Sequence, residues 1–87
     1  MTGITWASDR QLDLRGLACP LPVLKARKAL LGLAPGKRLL VEADDPLAAI
    51  DIPHFCSEAG HTLVATEKRG DAWVFLIERS EGPPPLA

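Results

Sequence analysis

The chain has 87 residues, 47% hydrophobic and 24% charged, with a formal net charge of −1. This length supports one domain, and a near-neutral balance excludes the concentrated basic face that a primary nucleic-acid binder needs. There is no charged-then-apolar leader and no apolar run long enough to cross a bilayer, so together with only two cysteines the sequence fits a soluble protein of a reducing cytoplasm without a disulfide framework.

In chain order, Leu12 and Leu14 alternate with Gln11, Asp13 and Arg15, which predicts a short strand with one buried face. Residues 1–9 before it are expected to be a flexible N-terminus, and the single domain to run over 10–80. Gly16 breaks the strand. From Pro20 to about Leu31, Val23, Ala26, Leu30 and Leu33 recur at helical spacing, with Lys25 and Lys28 on the other side. Gly32 suits the left-handed position beyond a helix end, Ala34-Pro35-Gly36 supplies a turn, and Leu39-Leu40-Val41 reads as a buried strand. Asp45 followed by Pro46 predicts a second helix start, with Asp45 as cap. Pro53 inside that pattern predicts a kink, or a short first piece ending near Ile50 and a restart capped by Asp51. Gly60 ends the element. Thr62 to Thr66 and Ala72 to Glu78 form a hairpin around Lys68-Arg69-Gly70-Asp71. Gly82-Pro83-Pro84-Pro85 marks 81–87 as a proline-rich disordered tail.

The order β-α-β-α-β-β predicts an α/β fold, an α+β two-layer sandwich. Its first strand-helix-strand unit should make a right-handed parallel crossover in a four-stranded mixed sheet, with both helices on one face. The other face is then partly wet or open to a partner. Trp73, Phe75 and Ile77 share one side of the last strand and Val74 and Leu76 the other, so both sides are apolar.

The run Gly16-Leu17-Ala18-Cys19-Pro20-Leu21-Pro22 carries the chemistry. Two prolines two residues apart break a helix interior but are tolerated in its first turn, where N–H groups lack partners anyway. Pro20 and Pro22 therefore fix the helix start, with Cys19 as the cap residue. A thiol there faces the positive end of the helix dipole, which favours the thiolate, the nucleophilic form. Without a second cysteine two residues away, one-thiol chemistry is expected: attack on a partner's persulfide, storage of that sulfur on Cys19, and delivery to another thiol. Cys56, beside Phe55, reads as core. His54 and His61 are the only candidate bases for a cysteine hydrolase. Cys19, Cys56, His54 and His61 lack metal-ligand spacing, Asp44 and Asp45 with Asp51 read mainly as caps, and no phosphate loop is present, so no cofactor or metal is expected. Lys25, Arg27, Lys28, Lys37 and Arg38 cluster near the cysteine in sequence and form either a solvated face or a basic docking rim. Two rivals remain open, a non-catalytic binding module using the open sheet face and a redox sensor using both cysteines.

Leu12-Asp13-Leu14-Arg15-Gly16-Leu17 followed by Cys19-Pro20-Leu21-Pro22, with Asp44-Asp45-Pro46, Asp51-Ile52-Pro53 and Phe55-Cys56, resembles the TusA, or SirA-like, family of sulfur carriers. The resemblance covers nearly the whole folded region. It implies a two-layer fold of four strands and two helices, and it makes Cys19 the residue that takes persulfide sulfur from a cysteine desulfurase or rhodanese-like donor. It implies a downstream relay protein and, as the best-known destination, 2-thiouridine at the tRNA wobble position. Other members of that family serve molybdenum-cofactor supply or the oxidation of reduced sulfur. Arg27 and Asp45 match positions expected to help dock the desulfurase, and a monomer that contacts neither nucleic acid nor membrane directly is expected. Leu21 stands where a glutamate is common among tRNA-thiolation members, and Ala18 replaces a frequent basic residue, so the thiol's surroundings are more apolar.

Overall fold

A computed structural model describes residues 6–80. The expectations for the first five residues and for the proline-rich tail lie outside the described residues. The elements are β1 (Arg10–Asp13), α1 (Leu21–Leu31), β2 (Arg38–Ala43), α2 (Ala48–Ala59), β3 (Thr62–Arg69) and β4 (Ala72–Glu78). They form a four-stranded mixed sheet in the order β1-β2-β4-β3, with β1 parallel to β2 and the other two pairings antiparallel. The element order, mixed sheet and two helices are those anticipated from the sequence.

Period-two alternation in β2 puts Leu39, Val41 and Ala43 on one side, fully buried, opposite Ile77, Phe75 and Trp73 of β4. Ala26, Ala29 and Leu30 of α1 and Ala48, Ile52 and Cys56 of α2 complete the same core cluster, so both helices cover this side. The alternative apolar strip of β4 is not a bare platform. Val74 and Leu76 are 2% and 0% exposed although they face away from the helices. Arg69 on that side pairs with Glu67 at 2.7 Å and packs over the Trp6 ring at 5.1 Å. A cleft of about 200 Å³ remains there, lined by Gln11, Asp13, Leu40, Glu42, Arg69 and Val74. Within the stretch expected to be flexible, Asp9 clamps β2: its N–H donates to the Arg38 carbonyl and its carboxylate accepts the Arg38 N–H, both at 2.9 Å.

Local differences from the sequence reading have physical causes. Gly32 closes α1 in a right-handed conformation at φ −83°, because its N–H is satisfied by Ala29 within a tightened last turn. The left-handed glycine expected after a helix is found at Gly60 instead, at φ +80°. α2 begins at Ala48, since Asp45 to Leu47 form a turn in which Ala48 N–H donates to Asp45 and Ala49 N–H to Pro46. Pro53 neither divides nor restarts α2. It lies close enough to the helix N-terminus that only the bond to the Ala49 carbonyl is lost.

His61 Nδ1 accepts the Ser80 N–H at 3.0 Å and closes the end of β4 against the start of β3. Burial, helped by Arg79, lowers its pKa below the ordinary 6.5. The unfolded chain therefore binds this proton more readily, and the stability His61 contributes is present above pH 6.5 and lost as pH falls from there through the lower folded value. Urea midpoints followed by tryptophan fluorescence are expected to drop between pH 7 and pH 5.5 more in the wild type than in His61→Gln. At the base of α2, Ile52→Ala removes a fully buried side chain and is expected to cost roughly 2–5 kcal/mol in the same assay.

Candidate functional site

The cysteine loop leaves β1 at Asp13 and crosses to α1 beneath the end of β2. Leu14 anchors it: the side chain is buried and its N–H donates to the Glu42 carbonyl at 2.7 Å. Gly16 turns the chain at φ +86°, a conformation that a side chain strains, and donates its N–H to Asp44 Oδ1 at 2.9 Å. Cys19 N–H donates to Asp45 Oδ2 at 2.8 Å. Two consecutive carboxylates at the β2–α2 junction thus hold two points of the loop.

Pro22 is the second residue of α1 and is buried, whereas Pro20 is exposed and takes the cap position at φ −97°, ψ 12°. Cys19 is therefore one residue outside the place expected for it. No side chain caps α1; the Leu21 N–H donates instead to the Ala18 carbonyl at 2.9 Å. Asp45 is likewise not a close cap of α2. Its short hydrogen bond goes across to Cys19, and only a 3.5 Å contact reaches the Leu47 N–H.

Cys19 is exposed, and its thiol donates to Asp51 Oδ2 at 3.1 Å. This reverses the electrostatic expectation. The hydrogen bond to Asp51, then desolvation, then the charges of Asp51 and Asp45 raise the thiol pKa above its usual value. A carboxylate in direct contact outweighs the more distant helix end, whose favourable field was the only effect visible in sequence. Asp51, anticipated as a restart cap, is the side chain that reads the sulfur. Three aspartates between 44 and 51 exceed what one helix start uses, and that surplus was the available signal.

The remaining candidates separate from the site. Cys56 is 1% exposed, and burial pushes its thiol up to about 11, so it is an inert core residue. His54 is exposed and pairs with Glu58 at 3.3 Å, while His61 is engaged with Ser80; neither is a hydrogen-bond partner of Cys19. Arg27 is exposed on α1. Arg38, grouped with it by sequence, pairs instead with Glu78 in the sheet at 3.2 Å. No group of His, Cys, Asp and Glu among the described residues has a metal-holding arrangement. Around the cysteine loop the starts of both helices expose apolar side chains: Leu21 and Leu24 on α1, Leu47 just before α2 and Ile50 on it, with Ile50 66% exposed.

The site is thus a reachable cysteine on a loop held at the ends of two helices. The family model described as sulfurtransferase TusA matches residues 10–79. The chain belongs to the TusA sulfurtransferase family. The crystal structure of a SirA-like protein from Desulfitobacterium hafniense is similar, with a TM-score of 0.72 and 26% identity over 83% of this chain and 99% of that one. The fold and family expected from the sequence are those found. TusA-family members are sulfur carriers, and no helix among the described residues is long and apolar enough to cross a membrane.

Asp45→Ala removes the acceptor of the Cys19 N–H and is expected to cost about 1 kcal/mol. Hydrogen–deuterium exchange should rise at the Cys19 and Leu47 amides while the amides of β2 and β4 keep their protection.

Proposed function

We propose that Cys19 is the persulfide-accepting residue of this TusA-family chain, with Pro20 and Pro22 shaping its loop. The single observation that supports this most is the placement of the thiol: exposed, on a loop pinned at both Gly16 and Cys19, in a chain whose other thiol is buried. Sulfur transfer between proteins needs an accessible nucleophile whose position is set before the partner arrives, and both conditions are met. The donor we infer is a cysteine desulfurase or rhodanese-like protein, and the recipient a downstream relay protein. The exposed leucines and Ile50 around the loop offer such partners apolar contact, with Arg27 and Asp45 as charged neighbours.

The destination we infer is 2-thiouridine at the tRNA wobble position, carried there by relay proteins in the cytoplasm, with this chain acting as a monomer. The second-element residues Asp44-Asp45-Pro46 and Asp51-Ile52-Pro53 support that assignment. Leu21 favours a second reading. Its side chain is 43% exposed where tRNA-thiolation members commonly present a glutamate, and an apolar contact there suits an acceptor from sulfur oxidation or molybdenum-cofactor supply. A pure binding module using the other sheet face is less well supported, because Val74 and Leu76 are already covered.

The test is intact-mass measurement after incubation with a cysteine desulfurase, cysteine and pyridoxal phosphate. A one-sulfur adduct is expected on the wild type and on Cys56→Ala and should be absent from Cys19→Ala. An adduct that survives in Cys19→Ala, or none on any form while the thiol remains alkylatable, removes desulfurase-fed transfer at Cys19.

A further inference from the structure

We propose that Asp51 is a catalytic residue of sulfur transfer that retains the proton on the Cys19 sulfur, first as the resting thiol and, after loading, as the terminal S–H of the persulfide. The inference rests on Cys19 being the carrier residue. Three features of the site support it. The thiol and Asp51 Oδ2 are 3.1 Å apart with the sulfur as donor, so the carboxylate touches the reacting atom itself. Ile52, fully buried, and Pro53 follow Asp51 on α2, which limits how far the carboxylate can move away. Cys19 is held from the other side by its own N–H on Asp45, so the pair is fixed from both partners. Asp51 and Asp45 are the charged groups that act on the thiol, and both oppose ionisation.

The chemistry explains why a carrier would keep a neutral sulfur. An acceptor thiolate attacks the outer sulfur of a persulfide only when that sulfur is electrophilic, which the protonated form is and the anion is not. A persulfide S–H is more acidic than a thiol, so without help the loaded sulfur ionises and resists delivery. A carboxylate beside it disfavours a second negative charge and accepts a hydrogen bond from the S–H.

In loading, the Cys19 proton is released to solvent as Sγ bonds to the donor's outer sulfur. The donor's S–S bond breaks, and its cysteine leaves as a thiolate that takes up a proton from solvent. In unloading, the acceptor thiolate bonds to the outer sulfur, the Cys19–sulfur bond breaks, and the Cys19 thiolate recovers the proton released by the acceptor thiol. Each step exchanges one S–S bond for another and one S–H for another, with no external oxidant or reductant.

Asp51→Asn removes the charge but keeps a hydrogen-bond acceptor of the same shape. Against the wild type, iodoacetamide alkylation of Asp51→Asn at pH 7 is expected to be about tenfold faster, and its pH profile to move to lower pH, as losing one unit charge at 3.1 Å in a water-like medium implies. After loading with inorganic polysulfide, checked by intact mass, thiocyanate release by cyanide is expected to be about fivefold slower in the variant. Unchanged alkylation overturns the proposal, and so does faster alkylation with unchanged thiocyanate release. If Asp51→Asn does not fold, the wild type decides. Its alkylation midpoint should lie above that of the same chain unfolded in guanidinium chloride, and a midpoint at or below the unfolded value overturns the proposal. A wild type that never loads sulfur counts against the carrier reading instead, and the alkylation comparison, which needs no sulfur donor, still decides for or against Asp51.

Discussion

The hydrogen bonds that the Gly16 and Cys19 amides donate to the Asp44 and Asp45 carboxylates organise this molecule around its thiol. They join two loops that are 28 and 26 residues apart in the chain but meet at one end of the sheet. That meeting depends on β1 lying parallel to β2, because parallel neighbours bring the ends of both strands to the same edge. With the loop fixed there, the first turn of α2 comes within reach of the sulfur, and Asp51 makes contact. Charge-assisted bonds to amides are stronger than neutral ones, which suits a loop that otherwise has only Leu14 and Pro22 buried beneath it.

The same arrangement sets two effects on the thiol against each other. A cysteine next to a helix start gains from the dipole, by an amount that falls off within one turn and is weakened by solvent. Two carboxylates, Asp51 and Asp45, work in the other direction, and Asp51 is in direct contact with the sulfur. The contact prevails because it acts over 3.1 Å, whereas the helix itself begins two residues after Cys19. A protonated thiol reacts slowly with small electrophiles, a property that suits the exposed position of Cys19 in the carrier role proposed for it.

Much of this was legible in the sequence, and the part that was not follows one rule. The apolar strand runs Leu39-Leu40-Val41 and Ala72 to Glu78, the hairpin at Gly70 and the proline-marked start of α1 are local patterns, and each appears in the structure close to where it was read. Which side of β4 the helices cover was undecidable, since Trp73, Phe75 and Ile77 and the opposite strip of Val74 and Leu76 are equally apolar. The aspartates were misassigned for the same reason. Capping is a local role that an Asp before a proline ordinarily plays, whereas the bonds donated by the Cys19 N–H to Asp45 and by the Cys19 thiol to Asp51 span 26 and 32 residues and exist only once β1 and β2 have paired. Pro53 shows the converse: a strong local break signal that costs only one hydrogen bond near the start of α2, with Ile52 and Cys56 on either side of it in the core to offset the loss.

Cys56 has been described only as an inert part of the core, yet its burial also bears on what can happen to Cys19. The chain has two sulfhydryls, and one of them is a buried side chain of α2 within the core. In the proposed carrier role, a sulfur atom on Cys19 would find no accessible second thiol on its own molecule to expel it, and self-discharge by ring closure would be denied. Its lifetime would then be set by encounters with other molecules, and the concentration of the recipient would govern how long the cargo stays aboard.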